Sequence, residues 1–354
     1  MRKSANDRRD PGPALRAIGA AVAWLLATIV TVGAAEPDFT VEERRRLARL
    51  TKLPADGELD AAKLADMTFA VISAQTVPDF GDVDCRILGR LPKLTSVTLR
   101  GLPLSGTCVD GLPRGAMNLT LDGVAFAPDT LTALGRMPGL VTLRIEGGSG
   151  LTPRLAEALP PTSPLVRLVV GKVDGETLAA LRRVPRLTEL EIGEAVGPQG
   201  LTPLDGALEI ERLDAGDVRR ADLAVIAALP KLVDLSAVVA AEVKDDDLRL
   251  LNRSKTLKTV FVNFAAGTAA GVGVLAEMPR LDHLRLVYQT VPDRDLAQLA
   301  RSRTLTALDL READVTEAGL LNLLKSRSLK SVNLWRVGVS EKTRRKLAKR
   351  FELD

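Results

Sequence analysis

Apolar residues in this chain fall into one short pattern that returns at nearly constant spacing. The pattern is L-x-x-L-x-L, with Val, Ile or Ala substituting. It occurs at Leu94/Val97/Leu99, Ala116/Leu119/Leu121, Leu140/Leu143/Ile145, Leu165/Leu168/Val170, Leu187/Leu190/Ile192 and Ile210/Leu213/Ala215. It continues at Leu232/Leu235/Ala237, Leu257/Val260/Val262, Leu281/Leu284/Leu286, Leu305/Leu308/Leu310 and Leu329/Val332/Leu334, with first positions 22 to 25 residues apart. The period-two alternation at the end of each unit predicts a short strand. Between strands, apolar residues three apart, such as Leu178/Leu181, Leu223/Ile226, Leu248/Leu251 and Leu296/Leu299, predict a helical segment. Pro92, Pro138, Pro185, Pro230 and Pro279 stop that segment two residues before the strand pattern begins, because proline lacks an N–H and restricts the residue before it. In three units, at Arg253–Thr256, Arg301–Thr304 and Lys325–Ser328, a polar turn takes over this role.

Repeats of this length are single supersecondary units that stack. Strands stack ~4.8 Å apart while helices need ~10 Å, so the stack is expected to curve with its strands inside. The eleven units resemble the leucine-rich-repeat family, over roughly residues 85–340. The resemblance implies an α/β fold: a right-handed solenoid, or horseshoe, with short parallel strands on the concave face and helices on the convex face. Three positions past the last apolar strand residue, many members of that family carry Asn or Cys. Here the position holds Leu102, Val124, Gly148, Val173, Ala195, Val218, Ala240, Ala265, Gln289, Ala313 and Val337, so the turn is expected to be held by apolar packing. The segment Val315–Leu320 is similar to the helix entry of bacterial strand–helix repeats.

The ends differ from the middle. Arg2, Lys3, Arg8, Arg9 and Arg16 precede Ala17–Ala35, a run of nineteen residues without a charge that ends in Gly33, Ala34 and Ala35. Residues 1–35 therefore read as a secretory signal peptide cleaved near Ala34 or Ala35. As a helix the run would reach ~28 Å, which also fits an uncleaved membrane anchor with its basic end inside the cell. Either way the body is expected to be exported, secreted or periplasmic or membrane-anchored with the repeats outside the cytoplasm. Residues 36–84 are expected to cap the amino-terminal end, with a charged helix over Val41–Leu50 and a degenerate strand within Met67–Ile72. Residues 85–339 hold the repeats, and 340–354 a capping helix in which Ser340 is the N-cap and Leu347 and Phe351 face the core. Lys342, Arg344, Arg345, Lys346, Lys349 and Arg350 make that helix basic: a solvated capping face, or a binder of acidic lipid or polymer.

Composition adds limits. Of 354 residues, 46% are apolar but only 3% aromatic, so the core is built from Leu, Val, Ile and Ala. One histidine, His283, and two cysteines exclude a multi-His or multi-Cys metal site within this chain. Cys85 and Cys108 lie one period apart, which puts them on neighbouring coils ~5 Å apart and predicts a disulfide in an oxidising compartment. The net charge of +4 is mostly the leader, so overall charge gives no reason to expect nucleic acid.

No catalytic set is apparent. The glycine clusters Gly147–Gly150 and Gly267–Gly273 lack the strand–loop–helix context and the Lys-Ser/Thr of a nucleotide loop. His283 has no implied nucleophile, and Glu189/Glu191 have no desolvated pocket to separate their pKa values. The expectation is no cofactor, no metal and no enzyme. Function is expected instead on the outward strand positions, two, four and six after each first leucine. The middle coils there are acidic: Glu189/Glu191, Arg212/Asp214 and Asp234/Ser236. The last four combine aromatic, cationic and amide groups, and Phe261, Asn263, His283, Arg285, Tyr288, Asp309, Arg311, Asn333 and Trp335 form the candidate partner-binding set. A protein partner is the leading reading, with an envelope-polymer or carbohydrate binder and an anchored structural envelope protein as alternatives.

Overall fold

The computed structural model describes residues 39–51, 61–127, 129–147, 159–160, 162–207, 209–244, 246–265, 269 and 271–354. The chain divides into two compact units, Met1–Asp38 and Phe39–Asp354. The first, and with it the expected leader, lies outside the described residues, as do Gly148–Gly150 and Gly267.

Within Phe39–Asp354, thirteen strands form one parallel sheet in chain order. They are β1 (Phe69–Ser73), β2 (Ser96–Arg100), β3 (Asn118–Asp122), β4 (Thr142–Glu146), β5 (Arg167–Asp174), β6 (Glu189–Val196) and β7 (Arg212–Val218). β8 (Asp234–Val239), β9 (Thr259–Phe264), β10 (His283–Arg285), β11 (Ala307–Asp309), β12 (Ser331–Asn333) and β13 (Glu352–Leu353) follow. Strand pairing in strict chain order, with a helical crossover or turn between neighbours, is the topology of a solenoid. Phe39–Asp354 is an α/β solenoid. Equivalent repeat positions pair across the ladder, as in Val97↔Leu119, Leu190↔Leu213 and Leu284↔Leu308. All three apolar positions of all eleven units are buried, from Leu94/Val97/Leu99 to Leu329/Val332/Leu334, and they join one continuous hydrophobic core.

The helical segments are short, and four among the described residues are 3₁₀: Thr202–Leu204, Asp247–Arg253, Val272–Glu277 and Leu323–Lys325, the last continuing the helix Glu317–Asn322. Apolar residues three apart suit a period of 3.0 as well as 3.6, and Leu248/Leu251 and Val272/Leu275 are buried on that spacing. The serine turns have a defined chemistry. Ser254 Oγ accepts from the Leu257 N–H (3.2 Å), Ser302 Oγ from Leu305 (3.2 Å) and Ser326 Oγ from Leu329 (3.1 Å). A buried hydroxyl thus satisfies the backbone of the first leucine where proline is missing.

The turn after the strand is apolar at Leu102, Val124, Val173, Val218 and Val337, which are buried. Gln289 corrects the expectation for its unit. Its buried side chain donates from Nε2 to the Val262 carbonyl (2.7 Å) and accepts at Oε1 from the Phe264 N–H (2.9 Å). One amide therefore ties its coil to the end of β9, where Ala265 is too short and too exposed to do so.

At the amino-terminal end, the helix Val41–Thr51 buries Leu47 and Leu50, and β1 extends the ladder beside β2. Cys85 and Cys108 form a disulfide between the helices Asp82–Gly89 and Gly106–Gly111, with Cα atoms 5.1 Å apart. At the other end the helix is Glu341–Ala348, with Ser340 Oγ accepting from the Thr343 N–H (3.3 Å). It stops short of the expected Phe351. Phe351 is buried beyond the helix, and Glu352–Leu353 turn back to pair with β12, because an open sheet edge gains more from a further strand than from another helical turn.

Candidate recognition face

Outward strand positions alternate with the buried leucines and form three rows across the ladder. The sheet register makes Phe261, Arg285, Asp309 and Asn333 successive neighbours in the middle row. The Arg285 guanidinium lies over the Phe261 ring, 4.8 Å from its centroid, and its Nε is 3.6 Å from Asp309 Oδ2. Arg311 grips the same carboxylate, with Nη2 2.8 Å and Nε 3.0 Å from Oδ2. Asp309 is almost wholly buried. Phe261, Arg285, Asp309 and Arg311 are therefore one connected group, and the two arginines are held in place by a single carboxylate.

The remaining expected residues surround this group. His283 and Asn263 are half-buried, on the first and third rows. Asn333 Oδ1 accepts from the Trp335 N–H (3.0 Å), as Asp309 Oδ1 accepts from the Arg311 N–H (3.1 Å). Such side-chain bonds to the N–H two residues on close an Asx turn and end β11 and β12 after three residues. Trp335 does not reach Arg311. Its 49% exposed ring lies beneath the Arg336 guanidinium, 4.1 Å from the centroid, in the turn beyond the strand. Tyr288, 68% exposed, sits in the equivalent turn after β10, with φ +60°. The expected set is thus split between the strand face and the turn edge.

Sequence reasoning passed over a depression of about 350 Å³ that joins Phe261 and Arg285 to the acidic middle coils. Its carboxylates fall into two kinds. Glu189 pairs with Arg212 (3.0 Å), and Glu191 with Arg167 (3.0 Å) and Arg144 (3.5 Å). Asp214 and Asp234 have no ion-pair partner within 4 Å among the described residues. Desolvation is the main cause that raises both from their ordinary value. For Asp214, Ser236 opposes that and nearby Glu191 adds to it. For Asp234, Arg212, Arg285 and His283 oppose it. The third row is bare beside this depression because Gly171, Gly193 and Gly216 occupy it. A Cβ on Gly216 would stand 2.0 Å from the Gly193 carbonyl oxygen and one on Gly193 2.5 Å from that of Gly171, so these two positions admit no side chain, whereas a Cβ on Gly171 meets nothing nearer than 3.9 Å. The visible signal was the run of three glycines at one repeat position, Gly171, Gly193 and Gly216.

Comparison with known proteins adds little. No family model matches the chain, and no curated protein matches it. Among solved structures, it is similar to an internalin of Listeria monocytogenes at 15% identity, over 81% of this chain and 93% of that one, with a TM-score of 0.41. It is also similar to a plant peptide hormone receptor, RGFR1 in complex with RGF2, at 15% identity over 70% of this chain, with a TM-score of 0.36. The chain spans 46% of that receptor's length. Likenesses this distant carry no argument, and the fold rests on the ladder itself. Among the described residues no helix is long and apolar enough to cross a membrane, and no group of three or more His, Cys, Asp or Glu is placed to hold a metal.

Proposed function

We propose that this chain is an exported, non-catalytic recognition module that binds a partner protein on its strand face. The observation that carries the reading is the connected group Phe261–Arg285–Asp309–Arg311. An aromatic ring and two arginines, held by one another on a continuous ladder, lose little freedom when a partner arrives, and such groups dominate recognition surfaces. Asn263, His283, Tyr288, Asn333 and Trp335 extend the surface towards the carboxyl-terminal end, and the Asp214/Asp234 depression extends it towards the middle. The mechanism is complementarity of shape and charge to preset side chains. Export is supported by the basic-then-apolar segment of residues 1–35 and by the Cys85–Cys108 disulfide, which an oxidising compartment produces.

The test is co-purification of cross-linked partners with the full-length chain and two variants. Phe261→Ala with Arg285→Glu should weaken retention of a genuine partner roughly 30-fold or more, as loss of a hot spot does. Arg249→Glu, in the helical segment between β8 and β9, should leave it unchanged. A partner lost equally from both variants would refute the strand face, and retention of polysaccharide without protein would replace the reading with the polymer one.

A further inference from the structure

The turn edge that leads into each strand carries cations in most coils, and only some of them meet a carboxylate. In earlier coils Arg90 meets Glu43 (2.6 Å), Lys93 meets Asp66 (2.5 Å), Arg136 meets Asp110 (2.8 Å) and Lys231 meets Glu209 (2.7 Å), while others such as Arg186, Arg253 and Lys255 have no carboxylate within 4 Å among the described residues and do not share one recess. In the coils that lead into β11 and β12, Arg301, Arg303, Lys325 and Arg327 occupy the same edge and line a depression of about 430 Å³. Among the described residues none of these four has a carboxylate within 4 Å, and all four are exposed. Lys325 Nζ donates to Asn322 Oδ1 (3.0 Å) and keeps its charge. Arg350 adds a cation beside the same turn, with Nη2 on the Ser326 carbonyl (3.1 Å) and its guanidinium over Phe351.

The contrast extends to the whole chain. Residues 301–354 hold 13 Lys and Arg against 7 Asp and Glu, whereas residues 36–300 hold 31 against 36. The small net charge conceals an acidic body with a basic end.

We propose that the depression lined by Arg301, Arg303, Lys325 and Arg327 binds a linear polymer that carries phosphate groups. Three guanidinium forks and an ammonium around one recess match successive tetrahedral oxyanions, each fork taking two oxygens. The hydroxyls nearby are already engaged, Ser302 with the Leu305 N–H and Ser328 with the Ser302 carbonyl, so recognition falls to the cations. The apolar lining is Ala297 and Ala300, which gives a bilayer nothing to take up, and the recess holds no aromatic ring for nucleobases to stack on. A phosphate chain without bases suits this lining of closely spaced cations. The site is separate from the strand face and does not depend on its partner.

The test is binding of linear inorganic polyphosphate to the full-length chain, measured by calorimetry across a salt series. With four phosphate contacts, affinity should fall roughly 50-fold between 50 and 200 mM salt, taking a slope of about −0.7 per contact. Arg303→Glu with Arg327→Glu, both exposed and checked by circular dichroism, should lower affinity more than tenfold and halve the salt slope. Lys231→Glu, on the same edge of an earlier coil, should bind as the unmodified chain does. Orthophosphate, oligo-deoxythymidylate and phosphatidylglycerol vesicles run in parallel. Failure to bind polyphosphate at 50 mM salt, equal binding by the double reversal, or tighter binding of vesicles or oligonucleotide than of polyphosphate would each overturn the proposal.

Discussion

The first three signature units and the last three leave their strands through the same backbone conformation but build it from different residues. Two positions past the last apolar strand residue, the early coils place Gly101, Gly123 and Gly147, at φ +63°, +61° and +63°. The late coils place Tyr288, Glu312 and Arg336, at φ +60°, +53° and +55°. Glycine enters this left-handed region freely, while any other residue costs about 1–2 kcal/mol. The late coils carry that strain and present side chains where the early coils present bare backbone. Arg336 lies over Trp335 and 3.5 Å from Glu312, and Tyr288 projects into solvent. The cores do not differ in this way, since every signature position is buried in both regions. The difference lies in surface chemistry laid over one scaffold.

The two regions also close their ends differently, and that contrast gives the largest expected effect. The early coils are cross-linked by Cys85–Cys108, 23 residues apart, whereas the late end is closed by Glu341–Ala348 and β13. Replacing both cysteines by serine removes the restraint on the unfolded chain and should lower stability by about 3 kcal/mol. Because each coil contacts chiefly its neighbours, the loss should appear first as faster amide exchange in β1–β3, with β10–β12 little changed. Uniform loss along the ladder would mean that the coils unfold as one unit.

A smaller effect is expected within the late half. Gln289→Ala strips the Phe264 N–H and the Val262 carbonyl of their buried partner and should cost about 2 kcal/mol in chemical denaturation. An equivalent change among the early coils, Val124→Ala, removes only apolar packing, about 1 kcal/mol. If the two costs were equal, the amide would be acting as filler and not as a bridge.

The turn conformation can be tested directly at lower cost. Gly123→Ala meets nothing closer than 3.9 Å, so its expected penalty of about 1 kcal/mol is purely that of the backbone. Glu312→Gly should do the reverse and stabilise by about 0.5 kcal/mol. Relief of the left-handed residue there exceeds the added freedom of an unfolded glycine, and the loose 3.5 Å pair with the exposed Arg336 is worth little. A destabilised Glu312→Gly would show that the late turns are held by their side chains.

What could be read without the structure follows from the range of each interaction. The strands and their buried residues were legible because one local pattern repeats eleven times. The disulfide was legible because two cysteines sit one period apart. β13 was not, since two residues after a helix carry no periodic signal and are placed only by the free edge of β12. The candidate face was half legible. Phe261 and Arg285 fell on outward positions by simple counting, but the burial of Asp309 and its hold on two arginines depend on cross-coil distances. Equally, Arg136 and Arg303 look alike in sequence, and only the position of Asp110 on the neighbouring coil separates a neutralised cation from a bare one.

The smallest expected effect concerns how the late end is latched. Glu317 accepts from the Ser340 N–H (2.7 Å) and the Thr343 hydroxyl (2.6 Å), at the start of the terminal helix. Those hydrogen bonds, the Ser340 one foremost, hold its carboxyl near pKa 2 in place of its ordinary 4.5. A depressed carboxylate pKa stabilises the fold above the unfolded value and loses that contribution as pH falls through the folded one. The terminal helix should therefore keep full amide protection at pH 5 and lose part of it progressively between about 4.5 and 2. Glu317→Gln should have the lower protection at pH 5 and show no such decline. Because Glu317 is fully exposed, the change should stay confined to Glu341–Ala348 and leave the melting of β1–β9 untouched. A decline of the same size in the glutamine variant would assign the acid sensitivity to other carboxylates and leave the helix held by Leu347 and Phe351 alone.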